Sequence, residues 1–295
     1  MLRDLTNMAA KSNGKKWHAH RATVFGAYHL HELINKGGLC EIWTATDEDG
    51  NHFAVRKMHC GKKSGLFRKS PEEKTFWNGC DILQKVHHHP YIIDYIEHGL
   101  IEKRPYMLMH YVEGANLKQL LRKKDSHLGE YLCNILIDTA EALDHCHDEG
   151  YMHLDFKPEN VLVTANGHVR LCDFDLAQPL PKQPVKLDYN AGTVAYMSPE
   201  QMLNKPLDHR SDIYSFGVTA YELLTFRQPF DGTTPEEMLR NKLSPDTVIK
   251  PPRDYNGDVP IALQNIVMKC LQFDPNKRYI VTTQLVKELH RALYV

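Results

Sequence analysis

Tyr151-Met-His-Leu-Asp155-Phe-Lys157-Pro-Glu-Asn160-Val-Leu-Val163 sets a carboxylate, an ammonium and an amide on one short loop that runs into an apolar strand. A second apolar run follows at once, Val169-Arg-Leu-Cys-Asp173-Phe-Asp175, and it too ends in acid. Two short strands that deliver Asp155, Lys157, Asn160 and Asp173 to one place are the decisive feature of this chain. The remaining composition is that of an ordinary globular protein. With a net charge of −1, no global field favours nucleic acid or an acidic membrane surface. No apolar run is long enough to span a bilayer, and residues 1–22 are polar and basic without a secretory apolar core. Seven cysteines without paired spacing read as reduced thiols in a cytoplasmic protein. His87-His88-His89 reads as a turn before Pro90 rather than a metal site, because no Cys or carboxylate stands at ligand spacing.

Working outward, residues 1–26 read as a polar arm. Three short apolar runs follow, from Tyr28, Cys40 and Phe53, with Asp47-Glu-Asp-Gly50-Asn as a hairpin turn between the second and third. Ser70-Pro71-Glu72-Glu73 predicts a helix start, with Ser70 as cap, Pro71 at the first position and Glu73 completing a capping box; the helix runs to about Val86. Two more strands are expected around 91–98 and 105–112. After Leu117 the pattern is mainly helical. Strands first and helices after predict an α+β chain in two lobes around a cleft, divided as 27–112 and 113–295.

At these residues the chain resembles the protein kinases, and within them the bacterial serine/threonine kinases. The first segment resembles H-R-D-x-K-x-x-N and the second D-F-G. Ser198-Pro199-Glu200 resembles the A-P-E that closes the activation segment, Asp212-Ile-Tyr-Ser-Phe-Gly217 resembles D-x-W-x-x-G, and Arg278 matches the arginine that pairs with the A-P-E glutamate, here Glu200. The resemblance covers about residues 28–290 and implies a bilobal protein-kinase-like fold, with a small antiparallel sheet and one helix in the first lobe and a helical second lobe. It implies ATP and Mg2+ as cofactors. Asp155 would be the catalytic base, Lys157 would neutralise the transferred phosphate, Asn160 and Asp173 would hold the metal, and Asp212 would anchor the catalytic loop. Ile34, Gly37, Ile42, Ala54, Arg56, Met109, Tyr111, Val112 and Leu162 would line the nucleotide site, with Met109 as gatekeeper and 110–112 as hinge. Leu83, His153 and Phe174 match three members of the stacked apolar spine.

The phosphate side departs from the pattern. Of the three aligned glycines in Asn35-Lys-Gly-Gly-Leu-Cys40 only Gly37 remains, and Cys40 adds bulk. The strand lysine is Arg56; side-chain alternation sends Arg56 inward and Lys57 away. Arginine is not a neutral exchange for lysine there. The helix glutamate is Gly79, so no carboxylate is expected opposite Arg56 from that position, with Asp81 and Glu72 as candidate substitutes. Asp175 replaces the D-F-G glycine and reads first as a solvated acid, otherwise as a third carboxylate near the metals. Leu154 replaces the arginine that meets a phosphorylated activation loop, so Thr193 and Tyr189 are not assumed to be switches. These departures favour a pseudokinase or strongly impaired kinase that binds ATP and magnesium and docks a partner protein. The alternative is an active, atypical serine/threonine kinase acting on protein hydroxyls. A small-molecule kinase fits less well, since the Ser198 segment resembles a protein-substrate platform. Neither nucleic acid nor membrane insertion is expected.

Overall fold

The computed structural model describes residues 23–59, 70–188, 191–230 and 232–294. Most of the N-terminal arm, Cys60 and Tyr189 therefore lie outside the described residues. The chain opens with β1 (Thr23–Phe25), β2 (Tyr28–Lys36), β3 (Cys40–Thr46) and β4 (His52–Met58), continues through α1 (Pro71–Val86), and returns with β5 (Tyr95–Ile101) and β6 (Arg104–His110). These strands form one six-stranded sheet in the order β1-β2-β3-β4-β6-β5, antiparallel throughout. The hairpin at Asp47 forms as expected. Asp47 Oδ1 accepts from the Asn51 amide at 2.8 Å, and Gly50 takes φ 82°, a conformation that favours glycine. The strand expected at 91–98 begins later, at Tyr95. Tyr91 and Ile93 instead bond to Leu171, the Tyr91 carbonyl accepting from the Leu171 amide at 2.8 Å and the Ile93 amide donating to the Leu171 carbonyl at 3.0 Å, which ties the two lobes together.

Alternation along β4 separates two environments. Ala54 and Met58 belong to the main core, whereas Val55 packs with Phe25, Leu30, Ala45, Tyr106 and Leu108 on the opposite face. Arg56 pairs with Ile42 and Met107 and shares the main-core face. Lys57 takes the other face, its ammonium 5.3 Å from the ring centres of both Phe25 and Trp43. The register is the one that side-chain parity predicts.

In α1, Ser70 accepts from the Glu73 amide at 3.1 Å, but the reciprocal half of the capping box is absent. Glu73 turns instead to the Trp77 indole, 3.2 Å away and one helical turn on.

The second lobe is built from α2 (Leu117–Lys123), α3 (Leu132–Asp148), α4 (Pro199–Met202), α5 (Arg210–Thr225), α6 (Pro235–Lys242), α7 (Ile261–Cys270) and α8 (Thr282–Leu293). Residues 211–225 of α5 are buried on every face, so this helix is the axis of the lobe. Small strand pairs bring the loops to it: β7 (Gly114–Asn116), β8 (Tyr151–Met152), β9 (Val161–Thr164), β10 (Val169–Leu171) and β11 (Gln178–Pro179), with β10-β9-β7 and β11-β8 as separate sheets. Among the described residues no helix is long and apolar enough to cross a membrane.

The expected Arg278–Glu200 pair is present and buried. Nη1 donates to Oε1 at 2.6 Å and Nη2 to Oε2 at 2.8 Å. The carbonyls of Gln272, Arg210 and Phe273 accept the other guanidinium protons, so all five donors are used. Burial opposes the Glu200 charge, but Arg278 outweighs it and holds the carboxyl below its usual range. Arg278→Met is expected to destabilise the domain by about 3–5 kcal/mol in urea denaturation at neutral pH. In wild type the contribution of this pair is present above the unfolded glutamate pKa of about 4.3 and fades as pH falls through the lower folded value.

Candidate active site

The catalytic loop is suspended from α5. Asp212, the third residue of that helix, accepts from the backbone amides of His153 at 2.8 Å and Leu154 at 2.7 Å. His147 meets its other side, Nε2 to Oδ2 at 2.9 Å, and is itself fixed by Thr282. Burial works against this carboxylate, yet His147 and the Leu154 amide hold its pKa down. The anchor holds Leu154 at φ 61°, an unfavourable backbone conformation for leucine. The strained turn presents the next residue, Asp155, to the cleft.

Around Asp155 the predicted residues converge. Lys157 Nζ donates to Asp155 Oδ2 at 2.5 Å and to Thr193 Oγ1 at 2.8 Å. The Thr193 amide donates to Asp155 Oδ1 at 3.1 Å, and its hydroxyl lies 3.3 Å from the same oxygen. Thr193 therefore belongs to the site, although the sequence reading gave it no role. Asn160 Nδ2 donates to the Asp155 carbonyl at 2.9 Å, which leaves the amide oxygen as an acceptor. Asp173 follows β10 at φ 67°, and its buried Oδ1 makes no hydrogen bond. A carboxylate oxygen without a donor beside a free amide oxygen is the hard oxygen set that a magnesium ion takes. The residues present fit that ion.

The adenine side is apolar. Ala54 and Met109 face each other across β4 and β6 and lie in the main core, with Ile42, Val112 and Leu162 packed against it. Tyr111 is half-buried and Ile34 is half-exposed, on the rim. The His153 and Phe174 rings meet at 4.9 Å between centroids, tilted by 56°, and Leu83 is buried in the same core as Phe174.

A model of the protein kinase domain matches residues 28–289. The chain belongs to the protein kinase family. It is 32% identical over 279 residues to a probable serine/threonine-protein kinase of Streptomyces coelicolor, covering 91% of this chain and 40% of that one. It is 31% identical over 277 residues to the probable serine/threonine-protein kinase PknB of Corynebacterium glutamicum, covering 90% and 42%. A probable serine/threonine-protein kinase of Clostridium perfringens is 28% identical over 268 residues, covering 90% and 38%. The chain thus spans about two fifths of the length of these relatives.

Against the kinase pattern, the phosphate side has been rewired. Arg56 does turn into the cleft, but it has a carboxylate. Nη1 donates to Asp175 Oδ1 at 2.7 Å and Nη2 to Oδ2 at 2.5 Å, with Asp173 Oδ1 at 3.7 Å. Asp175 is therefore not a solvated acid, and neither Asp81 nor Glu72 is the partner. Asp81 stands 3.6 Å from His98 on the far side of α1, and Glu72 is exposed. Burial acts against the guanidinium charge, but Asp175 and Asp173 outweigh it and raise the Arg56 pKa well above its usual value.

Gly79 makes the arrangement feasible. A Cβ there would lie 2.4 Å from Asp175 Oδ1 and 3.0 Å from its backbone nitrogen and Cα. Helix α1 contributes clearance where other kinases contribute charge. It still grips the turn, because Asn78 Nδ2 donates to the Ala177 carbonyl at 2.9 Å. The glycine and the acid have exchanged places between residues 79 and 175. That exchange was the signal in the sequence, visible only when the two departures are read together.

The opening loop does not depend on glycine. Gly37 and Gly38 have no positive φ, and an added Cβ would meet only the Cys40 carbonyl, at 3.6 Å from Gly37. The turn is tied by the Gly37 amide to Cys40 O at 2.9 Å and the His59 amide to Leu39 O at 2.8 Å. Cys40 itself is buried on the core side, where burial pushes its thiol up against the pull of Arg56.

Leu154 also has a purpose in place of the missing arginine. It packs with Met152 and Leu207, and Leu180 and Leu187 of the activation segment lie against them. Val185 and Leu207 exchange backbone hydrogen bonds at 3.0 and 2.8 Å beside this cluster.

Asp175→Ala strands a buried guanidinium and is expected to cost about 3–5 kcal/mol in chemical denaturation. The double variant Gly79→Glu with Asp175→Gly returns the carboxylate to the helix and is expected to recover more than half of that loss. Gly79→Ala alone, with the acid kept, is expected to destabilise because Asp175 must move.

Proposed function

We propose that this chain is a magnesium- and ATP-dependent serine/threonine protein kinase in which Arg56, held by Asp175, replaces the usual phosphate-contacting lysine. The bidentate Arg56–Asp175 pair carries the reading. The case for crippled chemistry rested on the altered glycine loop, the arginine in place of lysine and the missing helix glutamate, and for the last of these a carboxylate partner stands on a different element. The hydroxyl of a protein serine or threonine would attack the γ-phosphorus and pass its proton to Asp155, while the bond to the departing diphosphate breaks. Lys157 stands next to Asp155 to neutralise the transferred group, and Thr193 holds both in place. Asn160 and Asp173 would hold magnesium, which neutralises charge on the phosphates when bound. Phosphoryl transfer depends on positioning and charge more than on covalent help, so an arginine cation serves if its position is fixed. The apolar cluster around Leu154 and the Val185–Leu207 bridge support a kinase that does not wait for a phosphate on its activation segment.

One observation favours a second reading. Both outer nitrogens of Arg56 are already engaged by Asp175, and Cys40 fills space beneath the loop. A site so occupied suits a pseudokinase that binds nucleotide and acts by docking a partner protein. Radiolabelled phosphate transfer to casein separates the two. With phosphatase-treated protein, incorporation on serine or threonine is expected in wild type and is abolished by Asp155→Asn. Mg-ATP at about 100 Kd is expected to add roughly 2.7 kcal/mol of stability. That stabilisation without any incorporation would establish the pseudokinase reading.

A further inference from the structure

Thr193 joins the pair Asp155 and Lys157, so a peptide hydroxyl that reaches Asp155 passes beside the residues that follow Thr193 in the chain. Val194 and Ala195 are exposed there and form a turn with Tyr196. An exposed turn offers a fixed edge to a substrate only if its backbone is held from behind. The carbonyls of this turn can be followed one by one. Thr193 O accepts from the amides of Tyr196 at 2.8 Å and Met197 at 3.2 Å. Tyr196 O accepts from the Ser215 hydroxyl of α5 at 2.9 Å. The two between them, of Val194 and Ala195, both accept from a single group, the Lys242 ammonium, at 3.0 and 2.6 Å.

Lys242 is the last residue of α6 and, of the eight in that helix, the only one buried. Met238 is half-buried and Leu239 is exposed. The deepest point of α6 in the lobe is therefore an amine, where a surface helix ordinarily buries an apolar side chain. The rings of Tyr214 and Phe230 flank the ammonium, 5.4 and 5.9 Å away to their centres. Burial pushes the Lys242 pKa down to about 7, with Glu200 opposing. An ammonium in this place is thus a cost to the fold, set against its hold on two carbonyls.

We propose that Lys242 is a positioning residue for protein substrates: from α6 it fixes the backbone of Val194 and Ala195, the edge along which a serine or threonine hydroxyl is brought to Asp155. The proposal rests on the kinase reading above and extends it, because it gives α6 a part in the site that no motif in the chain marks. Lys242 touches neither nucleotide nor reacting atoms. It acts through the turn, and the turn reaches Asp155 through Thr193.

Two readouts of Lys242→Met in the full chain test it. The first is phosphate transfer to casein. KM for casein is expected to rise at least about fivefold while KM for ATP stays within about twofold of wild type, because the apolar nucleotide wall lies on other elements. The second readout needs no turnover. In hydrogen–deuterium exchange the amides of Thr193, Tyr196 and Met197 are expected to exchange at least about tenfold faster than in wild type, with the protection of α5 retained. A merely structural role would lower the protection of α5 as well, or move both KM values together. If Lys242→Met does not fold, Lys242→Gln, whose side chain is shorter and neutral, decides by the same readouts. If neither variant folds, Lys242 serves the fold itself and the assignment is overturned. Unchanged exchange at residues 193–197, or KM values for casein and ATP that rise together or not at all, would also overturn it. A wild type that labels no casein rejects the kinase reading alone. Faster exchange in the variant would then still support the hold of Lys242 on the turn, and unchanged exchange would reject both.

Discussion

A guanidinium taken out of water must meet a carboxylate, and the region between the lobes is organised by that requirement. Arg56 comes from the central strand of the sheet and Asp175 from the turn that begins at Asp173, 119 residues later. The pair therefore joins β4 directly to the segment that bears Asp173. In the arrangement the family motifs describe, the joint passes through the helix, whose glutamate holds the strand lysine. Here α1 has given up its charge and supplies empty volume at Gly79 instead. Its grip on the turn is the Asn78 amide, which donates to the Asp175 and Ala177 carbonyls, neutral contacts both. A rotation of α1 would thus reach the cation only by moving Asp175 and its turn, not by withdrawing a carboxylate of its own. The strand cation is held from the turn after Asp173 and not from the helix.

The same logic recurs at Leu154. An arginine at that position answers a phosphate, and its energy is available only when the phosphate is there. A leucine answers other apolar side chains at all times. With Met152, Leu207, Leu180 and Leu187 it buries surface unconditionally, at roughly 25 cal/mol for each Å2 withdrawn from water. Both substitutions replace a conditional contact by a permanent one. Asp175 meets Arg56 without a carboxylate from the helix, and the activation segment has an apolar seat that needs no phosphate.

Features that depend on neighbours in sequence were legible from the residues. Ser70-Pro71 marked the start of α1, Gly50 marked the hairpin, and alternation along β4 gave the inward arginine and the outward lysine. The Arg278–Glu200 pair and the Asp212 anchor were legible because complete motifs fixed their places. What escaped was set by distance in the chain and by geometry that no local pattern encodes. Asp175 looked solvated because its own neighbours do not reveal a strand cation 119 residues away. Thr193 figured only as a switch to be set aside, and only the folded segment brings it to Asp155 and Lys157. The half-formed capping box failed because Glu73 had a better partner in Trp77 one turn along. The opening of β5 was placed too early because Tyr91 and Ile93 spend backbone bonds on Leu171, between the lobes, rather than within the sheet.

The permanence of these contacts bears on how the degraded glycine loop should be understood. Glycines let a loop approach phosphates closely and remain pliant while it does so. This loop is fixed by two backbone bonds and by the buried Cys40, and neither Gly37 nor Gly38 adopts a conformation reserved for glycine. A stiff loop over a cation that is already paired loses adaptability but costs little further ordering when nucleotide arrives. Slow transfer from a preorganised site and tight binding without transfer are the two outcomes such a design allows. They differ in one physical respect, whether the Arg56 fork can share its outer protons between Asp175 and a phosphate oxygen. A guanidinium has five donors, and the carboxylate occupies two of them. The unused donors on the cleft side therefore decide between enzyme and scaffold, more than the identity of any motif letter.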